Sequence, residues 1–109
     1  MARNVKWADA AWSDLQNIAD YIARDSRYYA ASFVREVRNA ARSLERFAKK
    51  GRVVPEFGDS TVRELFVKKY RLLYKIEGGT VYIIGLIHGA RDLPSLWKKE
   101  GRRTRDDDE

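Results

Sequence analysis

A chain of 109 residues, 44% of them hydrophobic, makes one modest domain with enough apolar material for a core. The absence of cysteine excludes a disulfide framework, a thiolate metal site and a cysteine nucleophile, and the single histidine excludes a histidine-rich metal centre. The net charge of +6, from 22 basic and 16 acidic residues, favours an anionic partner such as nucleic acid, the ribosome or an acidic protein segment.

No apolar run approaches the roughly 18 residues of a membrane span. The opening MARNVKWADAAW lacks the apolar stretch of a signal peptide. A soluble, cytoplasmic protein without a membrane partner is therefore expected.

In chain order, Asn4 to Trp7 reads as a short strand at a sheet edge. Asp9 is a candidate N-cap. Behind it Ala11, Leu15, Ile18, Ala19 and Ile22 share one helical face, which predicts a helix over 9–24. Asp25-Ser26 breaks that pattern, and Ser26 can cap a second helix over 27–50. Its apolar stripe is Ala30, Phe33, Val34, Val37, Ala41, Leu44 and Phe47. Gly51 is its expected C′ residue, with Lys49 and Lys50 complementing the dipole in the last turn. So short a break predicts an antiparallel helical hairpin, whose apolar faces need a sheet to cover. Beside the apolar stripe Arg35, Arg38, Arg42, Arg46 and Lys49 line up as a basic stripe. This is either a solvated face or a docking surface for an acidic partner.

Arg52 to Asp59 reads as a connector, punctuated by Pro55 and Gly58. Three apolar runs follow, Val62–Val67, Tyr70–Ile76 and Val81–His88. They are rich in Val, Ile, Leu and Tyr and are joined by Lys68-Lys69 and by Glu77-Gly78-Gly79-Thr80. Joints this short connect antiparallel neighbours, so the three runs form a meander. With Gly78-Gly79 as the hairpin centre, Tyr74 falls opposite Ile83 and Arg71 opposite Leu86. That register puts His88 and Glu64 on the face of Arg71 and predicts a Glu64–Arg71–His88 grouping. Tyr70 and Tyr74 fall on the other face, as core residues with hydroxyls at the rim. Ala90 to Trp97 is a last short element whose Leu93, Leu96 and Trp97 cover one end of the core. The charged segment 98–109 is expected to be disordered, which leaves 1–97 as the folded domain. The predicted class is α+β: an N-terminal helical hairpin on a twisted antiparallel sheet of three to four strands.

The residues also carry a resemblance. The pieces are Asp14-Leu15-x-x-Ile18-x-x-Tyr21-Ile22-Ala23, Gly51-Arg52-x-Val54-Pro55-Glu56, Arg63-Glu64-Leu65, Tyr70-Arg71-x-x-Tyr74 and His88-Gly89-x-Arg91-Asp92. In this order, from about Val5 to Trp97, they resemble the RelE/ParE superfamily of type II toxins. The resemblance implies the same fold class and a cognate antitoxin that neutralises the toxin. It also implies one of two targets, messenger RNA in the ribosomal A site for RelE-like members or DNA gyrase for ParE-like members.

RelE-type cleavage uses a lysine pair, two arginines and a C-terminal tyrosine. Arg71 and Arg91 match the arginines. The lysine strand reads Val62-Arg63-Glu64-Leu65 instead, and Trp97 stands where the tyrosine is expected. The motifs are closer to ParE, which implies a gyrase poison without a cofactor or metal and without a confident catalytic residue. Arg63, Arg91, Leu93 and Trp97 are then the candidates for target binding, and Arg35, Arg38 and Arg42 for antitoxin binding. The alternative is a metal-independent messenger RNA interferase, with Glu56 or His88 taking the 2′-hydroxyl proton and Arg71 and Arg91 stabilising the phosphorane. A second alternative is a non-catalytic nucleic-acid-binding module that presents Tyr70, Tyr74 and Tyr82.

Overall fold

The computed structural model describes residues 2–102. In chain order the elements are β1 (Asn4–Trp7), α1 (Asp9–Ala23), α2 (Arg27–Ser43), a short 3-10 helix (Ala48–Lys50), β2 (Arg52–Val53), β3 (Val62–Val67), β4 (Tyr70–Glu77), β5 (Thr80–His88) and α3 (Leu93–Lys99). The strands form one sheet in the order β1-β5-β4-β3-β2. None of the helices among the described residues is long and apolar enough to cross a membrane.

The meander is present as read. Both hairpins close with two-residue turns, Val67 facing Tyr70 and Glu77 facing Thr80. In each turn the first central residue has positive φ, Gly78 at 59° and Lys68 at 54°. That conformation suits the right-handed twist of the flanking strands. The sheet is nevertheless mixed, with five strands rather than three or four antiparallel ones. β1 pairs parallel to β5, and β2 adds antiparallel to β3 inside the stretch read as a connector. A parallel pair needs a long crossover between its strands, and the helical hairpin followed by β2, β3 and β4 supplies one.

α1 and α2 form the expected hairpin. Ala8 rather than Asp9 occupies the N-cap position of α1, and Asp9 sits in the first turn, where its charge complements the helix dipole. Ser26 caps α2 by accepting the Tyr29 N–H at 3.1 Å. α2 ends at Ser43, seven residues before the expected Lys50. The chain leaves the helix axis there and reaches the sheet. The buried Tyr74 hydroxyl donates to the Ala48 carbonyl at 2.7 Å and accepts the Gly51 N–H at 3.0 Å. Gly51 thus does not end α2, whose C-cap is Leu44, but follows the 3-10 helix as its C-cap in an extended conformation, with φ −77°. Its need for glycine is spatial, since a Cβ would lie 2.5 Å from both the Tyr74 hydroxyl and the Glu64 carbonyl oxygen.

Each face of the sheet has its own core. The hairpin contributes Ala11, Leu15, Phe33, Val37 and Ala41 against Val67, Leu72, Tyr74, Val81, Ile83 and Leu86. On the opposite face Val62, Leu73, Ile84 and Ile87 pack with Val54, Leu93 and Trp97. α3 therefore covers the second face rather than one end of the first core. It runs past Trp97 to Lys99, and Arg102 makes ion pairs, so the ordered chain extends beyond the predicted boundary at residue 97. Of the segment expected to be disordered, residues 103–109 lie outside the described residues.

Candidate functional site

The functional side chains divide according to which face of the sheet they take, and a single bulge decides that division. Tyr74 pairs with Ile83 as expected, but Leu73 pairs with Gly85, so Ile84 is left as an extra residue in β5. A bulge of this kind shifts all later pairings by one. Arg71 therefore stands opposite Ile87, not Leu86, and His88 stands opposite Tyr70. The predicted Glu64–Arg71–His88 grouping does not form. Glu64 and Arg71 meet on the α3 side, whereas His88 turns to the hairpin side, its ring edge-on to Tyr70 at 5.4 Å.

On the α3 side four charged residues form a chain. The Arg71 Nε donates to Glu64 Oε1 at 2.5 Å. Its two terminal nitrogens grip Glu56 as a fork, each at 2.9 Å. The second Glu64 oxygen accepts from Arg52 Nε, also at 2.5 Å. Glu64 and Arg71 are both buried, and Arg52 lies at the rim with its guanidinium over the exposed Phe66 ring. Charged groups this deep persist because each has opposite charges and hydrogen bonds around it. The hydrogen bonds from Arg71, ahead of every other influence, hold the Glu56 carboxyl below its ordinary pKa. The Glu56 fork, and then Glu64, in turn raise the Arg71 guanidinium above its ordinary value. The fork–fork pairing that Arg71 makes with Glu56 is the one it would need for a phosphate.

The other candidates lie elsewhere. Arg91 is exposed and shares with His88 a cleft of about 290 Å³ between α1 and α3. His88 Nδ1 there accepts the Ala90 N–H at 3.1 Å. Arg63 stands opposite Tyr74 on the hairpin side and donates to the Gly51 and Lys49 carbonyls, tying the 3-10 helix to the sheet. Leu93 and Trp97, read as parts of an exposed surface, are core residues at 0% and 5% exposure. Tyr70 is half-buried beside Phe33, Tyr74 is fully buried under the hairpin and Tyr82 is half-buried by the second core. The three tyrosines are split between the two faces and make no joint stacking platform. Arg35, Arg38 and Arg42 are all exposed along α2. Arg38 lies over the Trp12 ring at 5.8 Å. It borders a groove of about 490 Å³ between α1 and α2, with Leu15, Ala19 and Val34 among its lining residues.

Comparison with known proteins gives a family. Residues 5–93 match the profile of the ParE toxin of the type II toxin–antitoxin system parDE. The chain belongs to the ParE toxin family. Toxin RelE2 of Caulobacter vibrioides is 34% identical over 88 residues, covering 80% of this chain and 96% of the relative. Among solved structures, the chromosomal ParDE system of P. aeruginosa aligns with a TM-score of 0.66 at 21% identity, over 80% of this chain and 96% of that one. The RelBE2 toxin–antitoxin complex of Mycobacterium tuberculosis aligns with a TM-score of 0.55 at 22% identity, over 81% and 99%. The two structural matches place the ParE-family chain in the α+β toxin fold.

Two participants in these constellations escaped sequence reasoning. Arg52 was read only as part of a connector motif, and nothing local distinguishes a connector arginine that ends a chain of ion pairs. Gly85 did carry a signal, because an isolated glycine inside an apolar strand marks a bulge or a close approach.

Proposed function

We propose that this ParE-family chain is a growth-inhibiting toxin that acts in the cytoplasm by binding a protein target, DNA gyrase, and is silenced by an acidic antitoxin. The observation that carries this reading is the saturation of Arg71. Metal-free RNA cleavage needs an acceptor, a donor and free cations around one phosphate. Here the Arg71 fork is closed by Glu56, and its Nε by Glu64. His88 sits across the sheet, and a proton-inert indole is buried at position 97. A toxin that binds a protein needs no such convergence. Arg91, exposed at the end of the sheet, is the remaining target-contact candidate. For the antitoxin, Arg38 borders the α1–α2 groove and Arg35 and Arg42 are exposed on the same helix, a pairing suited to an amphipathic acidic helix.

The test is induced expression without antitoxin, followed by supercoiling with purified gyrase and by cleavage on ribosomes programmed with messenger. Gyrase inhibition that Arg91→Ala abolishes and that His88→Ala leaves intact supports the proposal. A-site cleavage that disappears with Arg71→Ala or His88→Ala moves the chain to the ribosome-dependent nuclease class.

A further inference from the structure

The family match ends at Leu93, where α3 begins, and α3 packs back onto the sheet. β1 stops at Trp7, paired with Ile83, so the outer edge of β5 from Ile84 to His88 has no strand beside it among the described residues. An unpaired edge exposes backbone donors that must be satisfied or covered. One of them, the Leu86 N–H, donates to Asp14 Oδ2 on α1 at 3.0 Å. The same carboxylate is gripped by the Arg102 fork, at 2.8 and 2.7 Å. Arg102 arrives from the far end of α3, lies 5.0 Å over the Trp97 ring and pairs through Nε with Glu100 at 2.7 Å. Glycine at position 85 makes room for this arrangement, since a Cβ there would lie 2.9 Å from the Trp97 ring and 3.0 Å from Arg102 Nη1. The Asp14 and Arg102 side chains are 15% and 13% exposed, so their attraction is only partly screened. The rest of the α1–α3 seam is not packed shut, because the 290 Å³ cleft runs along it beside His88 and Arg91.

We infer that α3 is a lid over the second face of the sheet and the free β5 edge, and that Arg102 on Asp14 is the latch that closes it. With the latch closed, Leu93 and Trp97 are core residues. With it open, an aromatic and aliphatic strip faces solvent, while the Leu86 amide keeps its bond to Asp14 on α1. α3 is seven residues long, too short to hold its conformation without tertiary contacts. Releasing the latch therefore frees the whole helix and not merely its last turn. The lid rests on geometry alone and does not depend on which target the toxin binds.

The experiment is hydrogen exchange on the full-length chain, compared among wild type, Arg102→Ala, Asp14→Asn and a control, Lys98→Ala, on the exposed side of α3. Asn keeps an oxygen for the Leu86 amide but gives up the charge that holds Arg102. Both latch variants are expected to speed exchange of the Trp97, Lys98 and Lys99 amides at least tenfold and to shift Trp97 emission to the red, while β3 and β4 keep wild-type protection. Arg102→Lys, which retains the charge without the fork, should fall between, and it serves if either latch variant fails to fold. Wild-type protection of α3 in Arg102→Ala overturns the inference. So does a uniform loss of protection across the sheet, which would make the pair a general brace rather than a latch.

Discussion

The two faces of the sheet are held by different chemistry. The hairpin face is an interlock of aliphatic and aromatic side chains from α1, α2 and three strands, into which the Tyr74 hydroxyl and the half-buried Arg63 bring polar groups. The α3 face is smaller, and beside its apolar cluster it carries a chain of alternating charges, Arg52–Glu64–Arg71–Glu56, whose two central members are buried. Apolar burial is non-directional and tolerates adjustment, whereas a buried ion chain works only if each member is present. The first face supplies stability through area. The second is a set of interlocking dependencies in which one deletion leaves its neighbours uncompensated.

The largest effect that would sharpen this contrast is a truncation on the hairpin face. Leu72→Ala removes a fully buried side chain and should lower the unfolding free energy by about 3–5 kcal/mol, read from urea midpoints at constant slope. On the α3 face, Glu64→Ala leaves the buried Arg71 Nε without its carboxylate and is expected to cost about 3 kcal/mol. The double replacement Glu64→Leu with Arg71→Met should recover most of that loss, because an apolar pair of similar volume escapes the desolvation penalty. A double variant no better than Glu64→Ala would mean that packing, and not the pairing of charges, holds the α3 face as it does the other.

A smaller and pH-dependent effect belongs to Glu56. Its folded-state pKa is depressed by Arg71, so its stabilising contribution is present above the ordinary carboxyl value of 4.5 and is lost as the pH falls through the folded-state value. Urea midpoints for the wild type should therefore fall on acidification below about pH 4.5 more steeply than those of Glu56→Gln. Parallel curves would detach Glu56 from the network. The smallest change lies outside both faces and has the opposite sign. Lys68→Gly relieves a left-handed residue, worth roughly 1–2 kcal/mol, against the added chain entropy of glycine, for a net gain of about 0.5 kcal/mol in thermal unfolding.

Legibility in the sequence follows the same division. Periodicity placed α1, the start of α2 and the three meander strands, because each buries one continuous apolar face. Gly78-Gly79 fixed the register as far as Tyr74 opposite Ile83. Beyond that point the bulge at Ile84 moved Arg71 and His88 by one position, and a candidate triad built on their shared face dissolved. Glu64 with Arg71 survived, since both lie on β3 and β4, ahead of the irregularity. The early end of α2 and the two-residue β2 were not readable, because both are set by the distant Tyr74 hydroxyl and by pairing with β3 rather than by their own residues. α3 was legible as a short element but not as the cover of a second core, and Arg102 had no local mark of its role.

The parallel pairing of β1 with β5 sets the order in which the molecule can assemble. During synthesis the chain emerges N-terminus first, so β1 and the helical hairpin appear long before Thr80 to Ile83, the residues β1 pairs with. Until then the apolar side of the hairpin has only β3 and β4 to rest on, without Val81, Ile83 and Leu86, and β1 is a strand without a neighbour. Closing so long a loop is entropically slow compared with forming the hairpins of the meander. The nascent chain thus passes through a stage with only part of its sheet, which ends when β5 has left the ribosome and can pair with β1 and β4.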